Sequence, residues 1–546
     1  MPAPERRWPR TRALWPALAS FGARGLPVAA LGLGLCWSST AAAAPGQGLR
    51  LGGIEPQGPA TRAVTGLYHN PAMLAAIPGT AVHASMGAGI QQQRIQRNTI
   101  DPLTGEPTAN LGSTTWLRNG GLSYFAGASV YFDPIAVGIG IYDLGSRYQS
   151  NSDGPLRYHL APDPDVRCLS LRLDRCPPNG GSVRSQQDLT MALAWNGGRV
   201  KLGAALHLPI VYERFAFDND TELIGSDLIT VATCTDKEDP TCTERVGFKG
   251  RTQWIPRNDV PSGFDFALTV GASVSLAKDT ITLGFRYRSP ALRRRGELVL
   301  GGVALVCLPE GEEDPEQSEQ VPACDTAQPV GAIVRQPMPQ QIALGSSFAL
   351  GPARLWRLDL NAYWIDLCPG GLAPSQCPSA GSQNLRLIGL DRQSAALPEF
   401  SRYRGSMDLF GVDAYTRYRA KRNIYVLAAA HFATPSVRRG ATSAAFDESW
   451  RLGTSGGVRV RLRRAGVVLV PGYGFDVMLP RRIGAEDVLF SPAAATAFNE
   501  GSGDLNAPGA DSVLQGRGRP TNAGRYFGML HTVSFALMWG ERDVLD

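Results

Sequence analysis

The sequence runs to 546 residues, 43% hydrophobic and 19% charged, with 62 Gly and 40 Pro. It is too apolar for a disordered chain and too rich in turn formers for a helical one, leaving several ordinary domains or one large β domain. The formal net charge of +6 is spread along the chain with no long basic run and no basic-aromatic patch, which argues against nucleic acid as a partner.

Taken from the start, residues 1–44 read as a signal peptide. Arg6, Arg7, Arg10, Arg12 and Arg24 precede an apolar run from Leu26 to Trp37 and a small-residue tract from Thr40 to Ala44 that suits cleavage. The apolar run is too short for a spanning helix, and no later stretch reaches that length. Residues 45–79 are too irregular for a strand and read as an N-terminal plug, or hatch. Within it, Asn70-Pro71 suits a turn, in which Asn70 bonds its own backbone and Pro71 biases it away from helix, or else Asn70 caps a short space-filling helix over residues 71–76.

From residue 80 to 539 the chain alternates apolar and polar residues in long segments. Hairpins run Gly121–Phe132/Ile135–Tyr148, Gln186–Trp195/Val200–Phe215 and Phe264–Leu276 returning to Ser289. Three more run Gln341–Leu350 returning to Leu367, Ser406–Tyr418 returning to Phe432, and Trp450–Leu462 returning to Leu479. Ala81–Arg97 and Tyr526–Trp539 bracket them, giving fourteen strands, and residues 540–546 form a tail. The turns are tight, as at Asn196-Gly197-Gly198, and the loops between hairpins are long. Even strand number, short turns on one side and long loops on the other predict an all-β, antiparallel transmembrane barrel rather than a soluble sandwich. A closed barrel leaves no strand edge unpaired in lipid. The expected setting is the bacterial outer membrane, with the bilayer as partner, assembly machinery for insertion, and a monomeric state.

Eight cysteines follow the signal peptide: Cys168, Cys176, Cys234, Cys242, Cys307, Cys324, Cys368 and Cys377. They fall in four sequence-local pairs, one pair per long loop, which in an exported chain reads as disulfides stapling the outer face. With no C-x-x-C and few histidines, no metal or cofactor is expected. The string Gly453–Gly457 sits in a strand without His/Asp partners, and the acidic stretch Glu310–Glu319 lacks the spacing of a calcium loop, so no enzyme is expected.

Several charges fall on inward faces: Lys201, Arg286, Arg288, Arg357, Asp359, Asp408 and Asp413. An arginine there could receive a carboxylate, or these charges could simply pair with one another.

Tyr68-His69-Asn70-Pro71-Ala72, followed at once by a strand, resembles the hatch motif of the FadL family of long-chain fatty acid and hydrophobic-compound channels (FadL/TodX-like). Leu283–Pro290 is similar to that family's G-x-x-Y-R-S-P stretch, and Met338–Gly345 to its P-x-x-x-x-L-G strand opening. The resemblance implies a fourteen-stranded barrel and passive uptake of fatty acids or related hydrophobic molecules. Tyr68, Asn70, Pro71 and Ala72 would gate it, with Leu67, Met73, Leu74, Ile77, Arg286 and Arg288 along the ligand path. The plug is shorter than the family's, and the last strand does not end the chain. The competing expectation is a structural or adhesive barrel that conducts nothing.

Overall fold

The computed structural model describes residues 53–100, 107–143, 147–151, 181–219, 244–252, 265–277, 280–293, 296–309, 322–323, 330–351, 354–367, 385–389, 399–402, 407–437, 439, 449–462, 465–484 and 523–540. The expected signal peptide, the acidic stretch, the tail beyond residue 540 and seven of the eight cysteines lie outside these residues. For Cys307 only the backbone is described, opposite Arg245 in a strand pair.

Twenty-one strand segments build the wall. They are β1 (Thr80–Ile100), β2 (Pro107–Phe132), β3 (Ile135–Asp143), β4 (Arg147–Asn151), β5 (Gly181–Gly197), β6 (Val200–Asn219) and β7 (Glu244–Thr252). Next come β8 (Ala267–Leu276), β9 (Ile281–Arg288), β10 (Glu297–Pro309), β11 (Pro322–Ala323), β12 (Val330–Pro337) and β13 (Gln340–Leu350). The rest are β14 (Trp356–Asp366), β15 (Leu385–Gly389), β16 (Glu399–Arg402), β17 (Leu409–Lys421), β18 (Ile424–Ala433), β19 (Arg451–Leu462), β20 (Val467–Ile483) and β21 (Gly524–Trp539). All described pairings are antiparallel, and β21 closes on β1 from Val82 opposite Trp539 to Arg97 opposite Gly524. The result is a closed 14-stranded barrel, as the alternation predicts.

Two-residue periodicity explains the wall. Met86, Ile90, Leu193, Leu202, Leu344, Leu360, Val412 and Phe535 point outward and are exposed, whereas their chain neighbours face the lumen. Phe132, Trp195, Trp356 and Trp539 mark the tight-turn rim, and Phe410 and Trp450 the loop rim. Trp356 and Trp364 share the outward face of β14, eight residues apart, or about 20 Å of height for strands tilted by about 40°. This apolar belt edged by aromatics makes the barrel a membrane-spanning one. No helix among the described residues is long and apolar enough to cross a membrane.

The structure departs from the sequence reading above the belt. Five strands continue beyond a break into stretches read as loop. β8 and β9 pair below while β7 and β10 pair above; β13 and β14 pair below while β12 and β15 pair above. The breaks fall at Ser289-Pro290 and Met338-Pro339, where proline cannot supply a ladder N–H. Above them Leu298, Val299 and Leu300, and likewise Ala332, Ile333 and Val334, are buried on both faces, so the two-residue alternation that marks the lower strands is absent. Val211, Phe248, Ala291 and Met338 pack with Leu298, Leu300, Ala332 and Val334 in a small core at the break.

Candidate functional site: the lumenal hatch

Residues 53–79 fold inside the barrel. A single helical turn, α1 (Gly66–His69), leads through Asn70 into a 3-10 helix over Pro71–Ala76. The expected cap is there: Asn70 is extended, and its Oδ1 accepts from the Ala72 N–H at 3.1 Å. Pro71 occupies the first helical position, where its missing N–H costs nothing.

The hatch sweeps round the lumen and touches the wall strand by strand. Ile54 lies over Gly457 and Gly472, which are paired on β19 and β20. Arg459 Nη1 donates to Glu55 Oε1 at 3.3 Å, a buried ion pair. Asn361 Nδ2 on β14 donates to the Gln57 carbonyl at 2.7 Å. Pro59 packs on Gly284 and Gly345, which are opposite one another on β9 and β13. The Asn70 amide then donates to the Pro59 carbonyl at 2.6 Å and to the Ala272 carbonyl at 3.0 Å, tying hatch to hatch and hatch to wall. Asn70 sits over Gly271, and Pro71-Ala72 over Gly203.

Glycine is required at these wall positions by contact rather than by φ. A Cβ added to Gly138 would lie 2.9 Å from both Leu67 Cδ2 and Leu74 Cδ1, a separation real side chains do not tolerate. Gly127 and Gly140, paired across β2 and β3, make the same accommodation for Leu67. An interior strand glycine costs roughly 0.5–1 kcal/mol relative to Ala, so a whole row of them is explained by the backbone and side chains brought against it.

Around Tyr68 the polar contacts concentrate. Arg286 Nη1 donates to the Tyr68 carbonyl at 3.2 Å and Nη2 to Gln341 Oε1 at 2.8 Å, while the Tyr68 hydroxyl donates to the same Gln341 oxygen at 3.3 Å. The guanidiniums of Arg286 and Arg288 lie 4.8 and 5.6 Å from the Tyr68 ring centroid. Arg288 is also paired with Asp188, fully buried. Beside them Tyr142 and Thr190 both reach His207 Nδ1, at 2.8 and 2.9 Å, and His207 Nε2 meets Thr269 at 2.7 Å. His69 Nε2 faces Gln57 Oε1 at 3.1 Å. Burial first, and then the nearby Arg286 charge, hold His69 well below the ordinary histidine pKa.

The sequence-predicted residues thus meet, in a particular way. Tyr68, Asn70, Pro71 and Ala72 form the fastened turn of the hatch. Leu67, Met73, Leu74 and Ile77 are buried, and Leu67, Leu74 and Ile77 pack with Ala136, Ala192 and Ala205 of the wall. Arg286 and Arg288 hold the hatch. Lys201 caps its own turn through the Gly198 carbonyl at 3.0 Å, Arg357 pairs with Asp359 at 3.1 Å, and Asp408 accepts from Trp364 Nε1 at 2.9 Å. Sequence reasoning missed Glu55, Arg459, Asn361, Gln341 and the glycine row. Inward-facing glycine at alternate strand positions was the available signal.

No family profile and no curated sequence matches this chain. A FadL homologue of Pseudomonas aeruginosa superposes with a TM-score of 0.59 at 12% identity, covering 92% of this chain and 99% of the other. The fold is that of the FadL-type channels. The Pseudomonas putida toluene transporter TodX superposes with a TM-score of 0.52 at 10% identity over 90% of this chain and 99% of its own. The Ralstonia pickettii toluene transporter TbuX gives 0.51 at 12% identity over 89% and 98%. At these identities the likeness establishes the fold.

Proposed function

We propose that the protein is an outer-membrane channel for passive uptake of hydrophobic or amphiphilic small molecules, long-chain fatty acids among them. The observation that supports this most is the hatch itself. It stands in the lumen of a membrane-spanning barrel, held by individual hydrogen bonds and one described ion pair that can be undone one by one. The shared fold with two toluene transporters and a FadL homologue supports the same reading.

In this reading Asn70 is the release point. Its amide holds both Pro59 and the wall carbonyl of Ala272, so turning it away frees the Pro71–Ala76 helix from β6 and β8. Leu67, Met73, Leu74 and Ile77 then present apolar surface along the gap, and Arg286 and Arg288 keep Tyr68 as the fixed side of the gate. A hydrophobic ligand drives the exchange by replacing wall contacts with its own burial, about 25 cal/mol per Å² of apolar surface.

The test is ligand retention and uptake. The refolded barrel is expected to carry a stoichiometric hydrophobic ligand by native mass spectrometry, and to lose it when Asn70-Pro71 is replaced by Gly-Gly. A barrel that is empty and also fails to take up labelled oleate or toluene into vesicles sinks the transport reading.

A further inference from the structure

Arg482 and Arg525 face each other directly across β20 and β21, and both are exposed on the outward side of the wall. A bulge aims the first of them. Between Met478 opposite Gly528 and Arg481 opposite Tyr526, β20 carries Leu479 and Pro480 where β21 carries only Phe527. The extra residue reverses the alternation. Arg481 therefore shares the inward face with Tyr526 and donates to the Val437 carbonyl at 3.3 Å, and Arg482 turns out. Arg94 on β1, also exposed, lies opposite Phe527, on the diagonal from Arg525. Arg439 adds a fourth guanidinium, its Nη2 donating to the Arg482 carbonyl at 3.0 Å. No ion pair among the described residues involves Arg94, Arg482 or Arg525. Like charges directly opposite on neighbouring strands are destabilising, and long side chains also meet across the diagonal. A shared anion turns that repulsion into binding.

The height of this cluster decides what meets it. Along the outward face of β1, Val82, Met86 and Ile90 are apolar and exposed, and the face then changes to Gln92, Arg94 and Gln96. On β21 the same face runs from Trp539 through Leu537, Phe535 and Val533 and ends at Arg525. Trp539 and Phe527 are twelve residues apart, about 30 Å of height for strands tilted by about 40°, against an apolar band about 25 Å tall. Arg525 and Arg482 lie beyond Phe527, past the loop-side edge of the belt, at the level of lipid headgroups rather than of acyl chains. Trp116, exposed opposite Arg94 on β2, marks the same edge.

We propose that Arg94, Arg482 and Arg525 form a headgroup site on the outer wall, taking the phosphate of a lipid in the loop-side leaflet. A phosphate monoester suits the site: it carries a charge of about −1.5 to −2 at neutral pH and offers several acceptor oxygens to guanidinium donors. The acyl chains lie down the outward face over Ile90, Val533 and Phe535. A phosphate diester headgroup brings a single charge and is held more weakly. The site stands outside the lumen and is independent of the transport reading.

The full chain is refolded in phosphatidylcholine nanodiscs, alone or doped with lipid A, dephosphorylated lipid A or phosphatidylglycerol. Native mass spectrometry after detergent extraction reads the lipid retained, and thermal unfolding reads its effect. Lipid A is expected to stay bound and to raise the unfolding temperature, with phosphatidylglycerol retained less and dephosphorylated lipid A not at all. Arg482→Gln/Arg525→Gln is expected to weaken lipid A retention at least about tenfold. Lys421→Gln/Arg422→Gln removes the same charge from exposed positions at the tight-turn rim and should leave retention unchanged. In phosphatidylcholine alone, Arg482→Gln melts no lower than the unaltered protein, because a facing like charge has gone. Equal losses in the two double variants, equal retention of dephosphorylated lipid A, or an Arg482→Gln protein that melts lower would each overturn the site. Inorganic phosphate that stabilises as much as lipid A overturns the lipid as occupant, and an unaltered protein that retains no lipid A overturns the proposal outright. Uptake of oleate or toluene is read separately, so none of these outcomes touches transport.

Discussion

The lumen has two cationic regions built to opposite ends. On β9, Arg286 and Arg288 are surrounded by the Tyr68 carbonyl and ring, Gln341 and Asp188, and they lock the hatch to the wall. On β19, Arg451 is as deeply buried and has no acceptor. Residue type and inward direction are the same in both places. The neighbours differ: acceptors surround Arg286 and Arg288 and make them latches, and none reaches the Arg451 guanidinium.

The largest blow to the hatch side comes from the glycines of β8 and β6. Gly271→Val drives a branched side chain into the Asn70 side chain and the Pro71 ring, and Gly203→Val into the backbone of Pro71 and Ala72, which cannot yield as a flexible side chain would. The barrel is expected to survive, since both residues lie within continuous antiparallel ladders, while the hatch is displaced. Liposome permeability to a small polar dye should rise severalfold, and protease should cut within residues 53–79. An unchanged, protease-resistant hatch in Gly271→Val would show that the close approach is not what holds it.

Next in size is Glu55→Ala. It leaves Arg459 buried without its carboxylate, a change that costs about 3–5 kcal/mol in comparable buried pairs. The double variant Glu55→Ala/Arg459→Met should regain most of that loss, measured by urea midpoints in lipid. Asn70→Ala comes third. It removes one accepted and two donated hydrogen bonds at once, those from the Ala72 N–H and to the Pro59 and Ala272 carbonyls, about 2–4 kcal/mol in all. Because two of those bonds join hatch to hatch, the loss should appear as faster hydrogen exchange across 66–76 rather than as barrel unfolding.

These contrasts show what the sequence could reveal. The outward face was legible wherever the belt forces alternation: Val200, Leu202, Ala204 and Leu206 against Lys201, Gly203 and Ala205 set both strand and facing for β6. The Asn70 cap was legible because a short polar residue before proline has a local purpose. The upper halves of five strands were not, since Leu298–Leu300 and Ala332–Val334 are covered on both faces and carry no period. Arg286 and Arg459 were opaque for a different reason. Their partners, Tyr68 and Glu55, are 218 and 404 residues away, and nothing local encodes such pairings.

The smallest effect separates the two regions by pH. His69 is packed into the hatch, and burial together with the Arg286 charge keeps it neutral in the folded protein, with a pKa well below 6.5. When the hatch is released, His69 returns towards its ordinary value. The released state therefore binds more protons than the seated one between the depressed pKa and about 6.5, and seating weakens as pH falls through that window. The slope for one proton is at most about 1.4 kcal/mol per pH unit. Between pH 7 and 5 the seated hatch should loosen modestly, read as increased exchange or dye leak. His69→Gln keeps a donor for Gln57 and should flatten the response without changing its level at pH 8. A response that persists in His69→Gln would move the titration to another group and leave His69 as packing alone.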